Sequence, residues 1–181
     1  MTVQSPEPHP FVSHLERLQE DRAALAALRR GLGQPAGYAP EMFPYVVPFV
    51  PAEAGPWREA VYYLIASLFG FYPVSTNSGN MGEHFARLRN KRDSDDIAVE
   101  RRFNVLLAAH PDDLGGHLRQ AVSLLRANEV PVNWQQLFLD AQAWGHPDPD
   151  RRVWVRKRWA SAFWGRGASP AEGTEPTESD G

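Results

Sequence analysis

The 181-residue sequence contains no cysteine, which excludes disulfides, thiolate zinc sites, iron–sulfur ligation and cysteine nucleophiles together. Lysine is almost missing as well: of 19 basic residues only Lys91 and Lys157 are lysine. No apolar run approaches bilayer-spanning length, and the opening "MTVQSPEPHPF" has neither a basic n-region nor an apolar h-region. A cytosolic protein is expected. Nowhere do β-branched residues alternate with polar ones over a strand's length, which argues against sheet structure. Nucleophile elbows, P-loops and dinucleotide-binding glycine fingerprints are missing too.

The apolar fraction of 43% suits a globular domain able to bury a core. The formal charge of −3 conceals an asymmetry. Residues 1–21 hold one arginine against four carboxylates, and residues 166–181 do the same, which leaves the middle of the chain at +3. The acidic end, "GRGASPAEGTEPTESDG", has little apolar content to bury and is expected to be disordered.

Helical periodicity fills most of the remainder. From Ser13 to Arg30 the residues Leu15, Leu18, Leu25 and Leu28 keep helical spacing, Ser13 and Glu16 suggest a capping box, and Gly31 and Gly33 mark a stop. Six prolines between residues 34 and 56 forbid a long helix there and imply an ordered crossing with one short helix. Pro56 suits the first turn of a helix reaching about Tyr72, whose Val61, Leu64, Ile65, Leu68 and Phe69 mark it as central. Five further amphipathic segments follow, bounded by Asp, Asn, Gly or Pro signals. The expectation is an all-α, single compact bundle of about seven or eight helices spanning residues 11–165, with a flexible N-terminus over 1–10 and the acidic tail over 166–181.

The last of these segments is "DPDRRVWVRKRWASAFWGR". Arg151, Arg152, Arg156, Lys157 and Arg158 alternate there with Trp154, Trp159, Phe163 and Trp164. Cations interleaved with rings suit a nucleic-acid surface, and they equally suit a core helix with a wet back. A projection at 100° per residue puts Arg151 and Arg158 on one side, and Arg152 and Arg156 on another beside Trp159 and Phe163. Arg22 and Arg29 share a face beside the leucine stripe, where their stems either cover the core rim or meet phosphate, while Arg30 points elsewhere. Arg101 and Arg102, in "ERRF", are candidate phosphate contacts or internal partners of a carboxylate, and Arg58 is a further phosphate candidate.

One string invites an enzymatic reading. "AAHPDDLGGH" resembles the zinc motif of LmbE-like N-deacetylases, where a histidine and an aspartate hold the metal and another aspartate activates water, so the candidate is a zinc hydrolase built on His110 and Asp113. The resemblance is five residues long, lacks the usual following glutamate and follows a helix-like segment rather than a strand. The competing reading is a helix stop at His110 and Pro111, with Asp112 and Asp113 opening the next helix.

Taken in order, "RAALAALRRGLG", "YYLIASLFGFYP", "SGNMGEHFARL", "ERRFNVLLAA", "LRQAVSLLRANEVPVNWQQLFLDAQAWG" and "VRKRWASAFWG" resemble the CasB family, the small subunit of the type I-E CRISPR surveillance complex Cascade. The resemblance covers about Arg22 to Gly165. It implies an all-helical, non-enzymatic subunit without metal or cofactor, two copies of which lie head to tail in the complex. Its partners would be CRISPR RNA, target DNA and other Cascade subunits. Basic surface residues would hold the R-loop while guide pairing supplies sequence specificity. The family's basic positions fall here on Arg29 and Arg30, on Arg119 and on Arg151 and Arg152, to which the residue pattern adds Arg156 and Arg158. A pure scaffold is the alternative within the same setting. The acidic tail is not part of the family pattern, and its carboxylates would compete with phosphates for arginine. Removing residues 166–181 is therefore predicted to leave the melting temperature unchanged and to tighten nucleic-acid binding slightly at low salt. Calorimetry and a low-salt titration of the truncated protein check both halves.

Overall fold

Proline placement sets three of the helix starts. Pro10, Pro56 and Pro149 each open an α-helix, where the missing amide would have had no intrahelical partner. The computed structural model describes residues 7–91 and 95–165, so the expected tail of residues 166–181 lies outside the described residues. Among them are nine α-helices: α1 Pro10–Arg17, α2 Arg22–Arg29, α3 Phe43–Val46, α4 Pro56–Phe71, α5 Met81–Arg89, α6 Asp96–Leu107, α7 Leu114–Ala127, α8 Trp134–Trp144 and α9 Pro149–Trp164. Short 3-10 turns at Pro40–Met42 and Val47–Phe49 flank α3, and a third, Pro111–Asp113, precedes α7. The all-α expectation holds. Only an isolated bridge between Ser75 and Val132 is extended pairing among the described residues.

The single helix expected over Ser13–Arg30 is two. α1 ends at Arg17, and Asp21 restarts the chain by accepting the amides of Ala23 and Ala24, each at 3.0 Å. Leu18 and Leu25 are seven positions apart, two helical turns, so the leucine spacing reads straight across the break. The Ser13–Glu16 box does not form, because Ser13 lies inside α1, where its amide donates to the His9 carbonyl and its hydroxyl accepts from Gln135. Other caps do form: Asn80 and Glu83 make a reciprocal box at α5, and Asp95, Asn133 and Asp148 cap α6, α8 and α9.

Two elements organise the core. α4 is buried over most of its circumference and packs against α2, α7 and α8, while α9 lies along α5 and touches α6 and α8. Phe11, Tyr62 and Phe138 join α1, α4 and α8 with ring centroids 4.8–5.5 Å apart. Phe85, Phe103 and Phe163 form a second cluster between α5, α6 and α9. α5 and α9 approach so closely at Gly82 that a Cβ there would collide with the Trp159 carbonyl.

The loops before α5 and α8 are sewn together at His84. Thr76 and Val132 donate their amides to the carbonyls of Val132 and Val74. Asn133 donates its side-chain amide to the Gly79 carbonyl and its backbone amide to His84 Nε2 at 3.0 Å. His84 is 1% exposed, and burial, aided by the nearby Arg87 charge, lowers its pKa to about 4. The folded state thus favours the neutral ring, whereas the unfolded chain takes up a proton near pH 6.5. Stability is full above that pH and declines as pH falls toward 4, by roughly 3 kcal/mol from this group. Burial lowers His9 and His14 in the same sense, while burial raises Asp140, which acts in the opposite one. Denaturant titrations between pH 7 and 4 are predicted to show this loss, and His84→Gln to be less stable at pH 7 with a shallower pH dependence.

Candidate nucleic-acid interface

The interleaved cations and rings of α9 are largely an internal assembly. Val155, Trp159 and Phe163 face the core. Trp159 donates its indole N–H to Asp140 Oδ2 at 2.7 Å, and Gln136 donates to the other oxygen at 2.8 Å. Asp140 is 2% exposed. Burial raises its pKa, opposed by these two hydrogen bonds and by the Arg158 charge. Arg158 reaches the carboxylate at 3.7 Å and lies 4.5 Å over the Trp154 ring. On the other flank Arg156 donates to the Ala109 carbonyl at 2.9 Å and stacks 4.9 Å over Trp144, which itself donates to the same carbonyl at 3.1 Å. Both guanidinium groups therefore have partners within the fold. Arg151 and Lys157 are exposed and Arg152 half-buried.

A different set of arginines meets across α6 and α7. A groove of about 780 Å³ runs between these helices, lined by Arg101 and Arg102 from one and by His117, Arg119, Gln120 and Ser123 from the other. All three arginines are exposed, and none forms an ion pair among the described residues. A second groove, of about 630 Å³, lies between the end of α2, the start of α4 and α7, with Pro35, Trp57 and Tyr63 on its walls. Gly116 and Arg119 belong to both. Gly33 adopts φ +74°, and the Arg119 guanidinium lies 2.9 Å from where a Cβ would stand, so glycine's left-handed backbone and missing side chain let the cation rest on this turn. Arg29 and Arg30 close α2 immediately before it, both exposed.

The remaining candidates are dispersed. Arg22 opens α2 at the end away from the groove. Arg58, in the first turn of α4, is near the Tyr62 hydroxyl and His9, and its charge adds to burial in lowering the His9 pKa. Among the residues not singled out by sequence, His117, Gln120 and Ser123 complete the polar lining. They recur every three residues along α7, a signal readable once that side of α7 is known to be open.

The enzymatic string is built as a connector. α6 precedes it, not a strand, and His110 Nδ1 accepts the Asp112 amide at 3.3 Å to cap the 3-10 turn leading into α7. No group of three or more His, Asp or Glu side chains among the described residues is placed to hold a metal ion.

Residues 24–164 match the family model for CRISPR-associated protein Cse2. A CRISPR-associated protein Cse2 from Thermus thermophilus is 34% identical over an alignment of 174 residues that covers 93% of this chain and 96% of the relative. The chain belongs to the Cse2 family. A crystal structure of CasB from Thermus thermophilus superimposes with a TM-score of 0.72 at 31% identity, covering 86% of this chain and 96% of that one, so the CasB resemblance of the sequence and the Cse2 match describe one family. A chain of a CRISPR RNA-guided surveillance complex shares the Cse2 fold, with a TM-score of 0.69 at 24% identity over 84% of this chain and 91% of its own. The region matched by the Cse2 model takes in both grooves and all of α9, and among the candidate cations it leaves out only Arg22.

In this Cse2 chain the two classes of arginine are predicted to separate by stability. Arg156→Ala removes a charged hydrogen bond and a ring contact, and is predicted to cost about 1–3 kcal/mol. Arg151→Ala is predicted to stay within about 0.5 kcal/mol. Urea denaturation of the two variants makes the comparison.

Proposed function

We propose that this protein is the non-catalytic small subunit of a type I-E CRISPR Cascade complex. In that role it holds the backbones of CRISPR RNA and target DNA and stabilises the R-loop. The observation that carries the reading is the meeting of Arg101, Arg102 and Arg119 in one open groove on a Cse2-family chain. Guanidinium forks without carboxylate partners among the described residues are suited to bidentate phosphate contacts, and an arginine-lined trough grips a backbone without reading base edges. Sequence choice then rests with guide pairing. The fold shared with a chain of a CRISPR RNA-guided surveillance complex supports the same setting, in which other Cascade subunits and a second copy of this chain are the protein partners. Among the described residues no helix is long and apolar enough to cross a membrane, in keeping with a cytosolic complex. Arg29, Arg30, Arg151, Arg152 and Lys157 extend the basic surface beyond the groove, with Arg22 and Arg58 farther out.

A pure scaffold is the second reading, and it draws on Ile97, 83% exposed, and Val105 on the outer side of α6. Changing Arg101, Arg102 and Arg119 together to Ala separates the two. The binding reading predicts an unchanged fold and full occupancy in the assembled complex. It also predicts weaker retention of target DNA, with the log–log salt slope falling by roughly 0.7–0.9 for each phosphate no longer neutralised. Occupancy and DNA affinity measured on the same preparation are the check: full occupancy with wild-type affinity removes these three residues from the binding role.

A further inference from the structure

Trp154 is the one large aromatic of α9 left mostly in solvent, at 56% exposure, although the same helix buries Trp159 and Phe163 completely. An indole left in solvent gives up part of the stabilisation that burial would bring, and this one is held in place from below. The buried Asp140 carboxylate, fixed by Trp159 and Gln136, anchors the Arg158 guanidinium at 3.7 Å, and that guanidinium lies 4.5 Å over the Trp154 ring. One face of the indole thus carries a cation paired with a buried carboxylate, and the side chain as a whole is 56% exposed. On the helical projection Trp154 is bordered by Arg151, Lys157 and Arg158, with Asp150 as the one carboxylate and Ser161 as the one neutral polar residue.

We propose that Trp154 is a stacking platform for an unpaired nucleobase of single-stranded nucleic acid. The inference rests on the nucleic-acid reading above and adds to it a contact with bases that backbone binding does not include. A flat ring flanked by three cations and one carboxylate meets both parts of such a ligand: the base stacks on the indole while Arg151 and Lys157 attract the flanking phosphates. Stacking is tolerant of sequence, because every base has a π-face. The guanidinium beneath the ring adds a cation–π contact, and the Asp140 anchor keeps ring and cation together before any ligand arrives. An apolar protein partner would suit this surface less well, since the cations around the indole would lose their water on docking.

The test uses the full-length protein at low ionic strength with two probes, an oligothymidylate and an abasic oligodeoxynucleotide of equal length and charge. Wild type is expected to prefer the oligothymidylate. Trp154→Ala is expected to lower that affinity by about five- to a hundred-fold while leaving abasic binding and the salt slope unchanged, and Trp154→Tyr to retain most of the preference. Equal binding of both probes by wild type, with Trp154→Ala unchanged, overturns the stacking site and leaves phosphate binding standing. Failure of wild type to bind either probe overturns the nucleic-acid reading together with it. A Trp154→Ala variant that loses self-association or entry into the complex but keeps its oligothymidylate affinity assigns the ring to a protein interface and overturns the proposal.

Discussion

The docking of α9 depends on two buried acceptors. One is the Asp140 carboxylate, which takes the Trp159 indole on one oxygen and Gln136 on the other, with Arg158 beside it. The second is the Ala109 carbonyl just past the end of α6, which takes both the Trp144 indole and Arg156. An uncompensated carboxylate at this depth would be costly, and each donor removed would leave it more so. These contacts tie α6, α8 and α9 into one unit, and with the Gly82 crossing they bring in α5. The helix whose composition looks most like a nucleic-acid surface is thereby fixed first of all as a structural element.

That division of labour explains why cations and rings alternate along α9. The core side needs large rings, and the rim of that core is covered by guanidinium groups whose stems pack and whose heads find ring faces or carbonyls. Arg89 over Phe163 and Arg126 over Phe71 repeat the arrangement elsewhere in the bundle. Arginine serves this use better than lysine, because its planar head stacks and bonds at once. The scarcity of lysine in the chain accords with an architecture in which many cations have a stacking or hydrogen-bonding part.

Much of the fold was legible because its signals are local. Pro56 at a helix start, the Asp, Asn, Gly and Pro signals that bound the later helices, and the proline-dense crossing around α3 each act within a few residues. The break between α1 and α2 is not legible in the sequence, because apolar spacing survives a seven-residue interval. Long-range partnerships were invisible for another reason. Arg156 bonds a carbonyl 47 positions away, and Asp140 lies 19 positions from Trp159, so no spacing rule distinguishes these arginines from Arg151 or Arg152. The groove has the same character. "ERRF" and "LRQ" mark Arg101, Arg102 and Arg119 individually, but only the packing of α6 on α7 brings them to one trough.

Gly116 gives that trough a property of its own. It sits near the start of α7 where the two grooves meet, and a Cβ there would touch nothing within 4 Å. Packing leaves room for alanine, and glycine costs a helix interior about 1 kcal/mol by comparison. Gly116 and Arg119 line both basins, so a larger residue at position 116 would put a side chain on the ground that the two share.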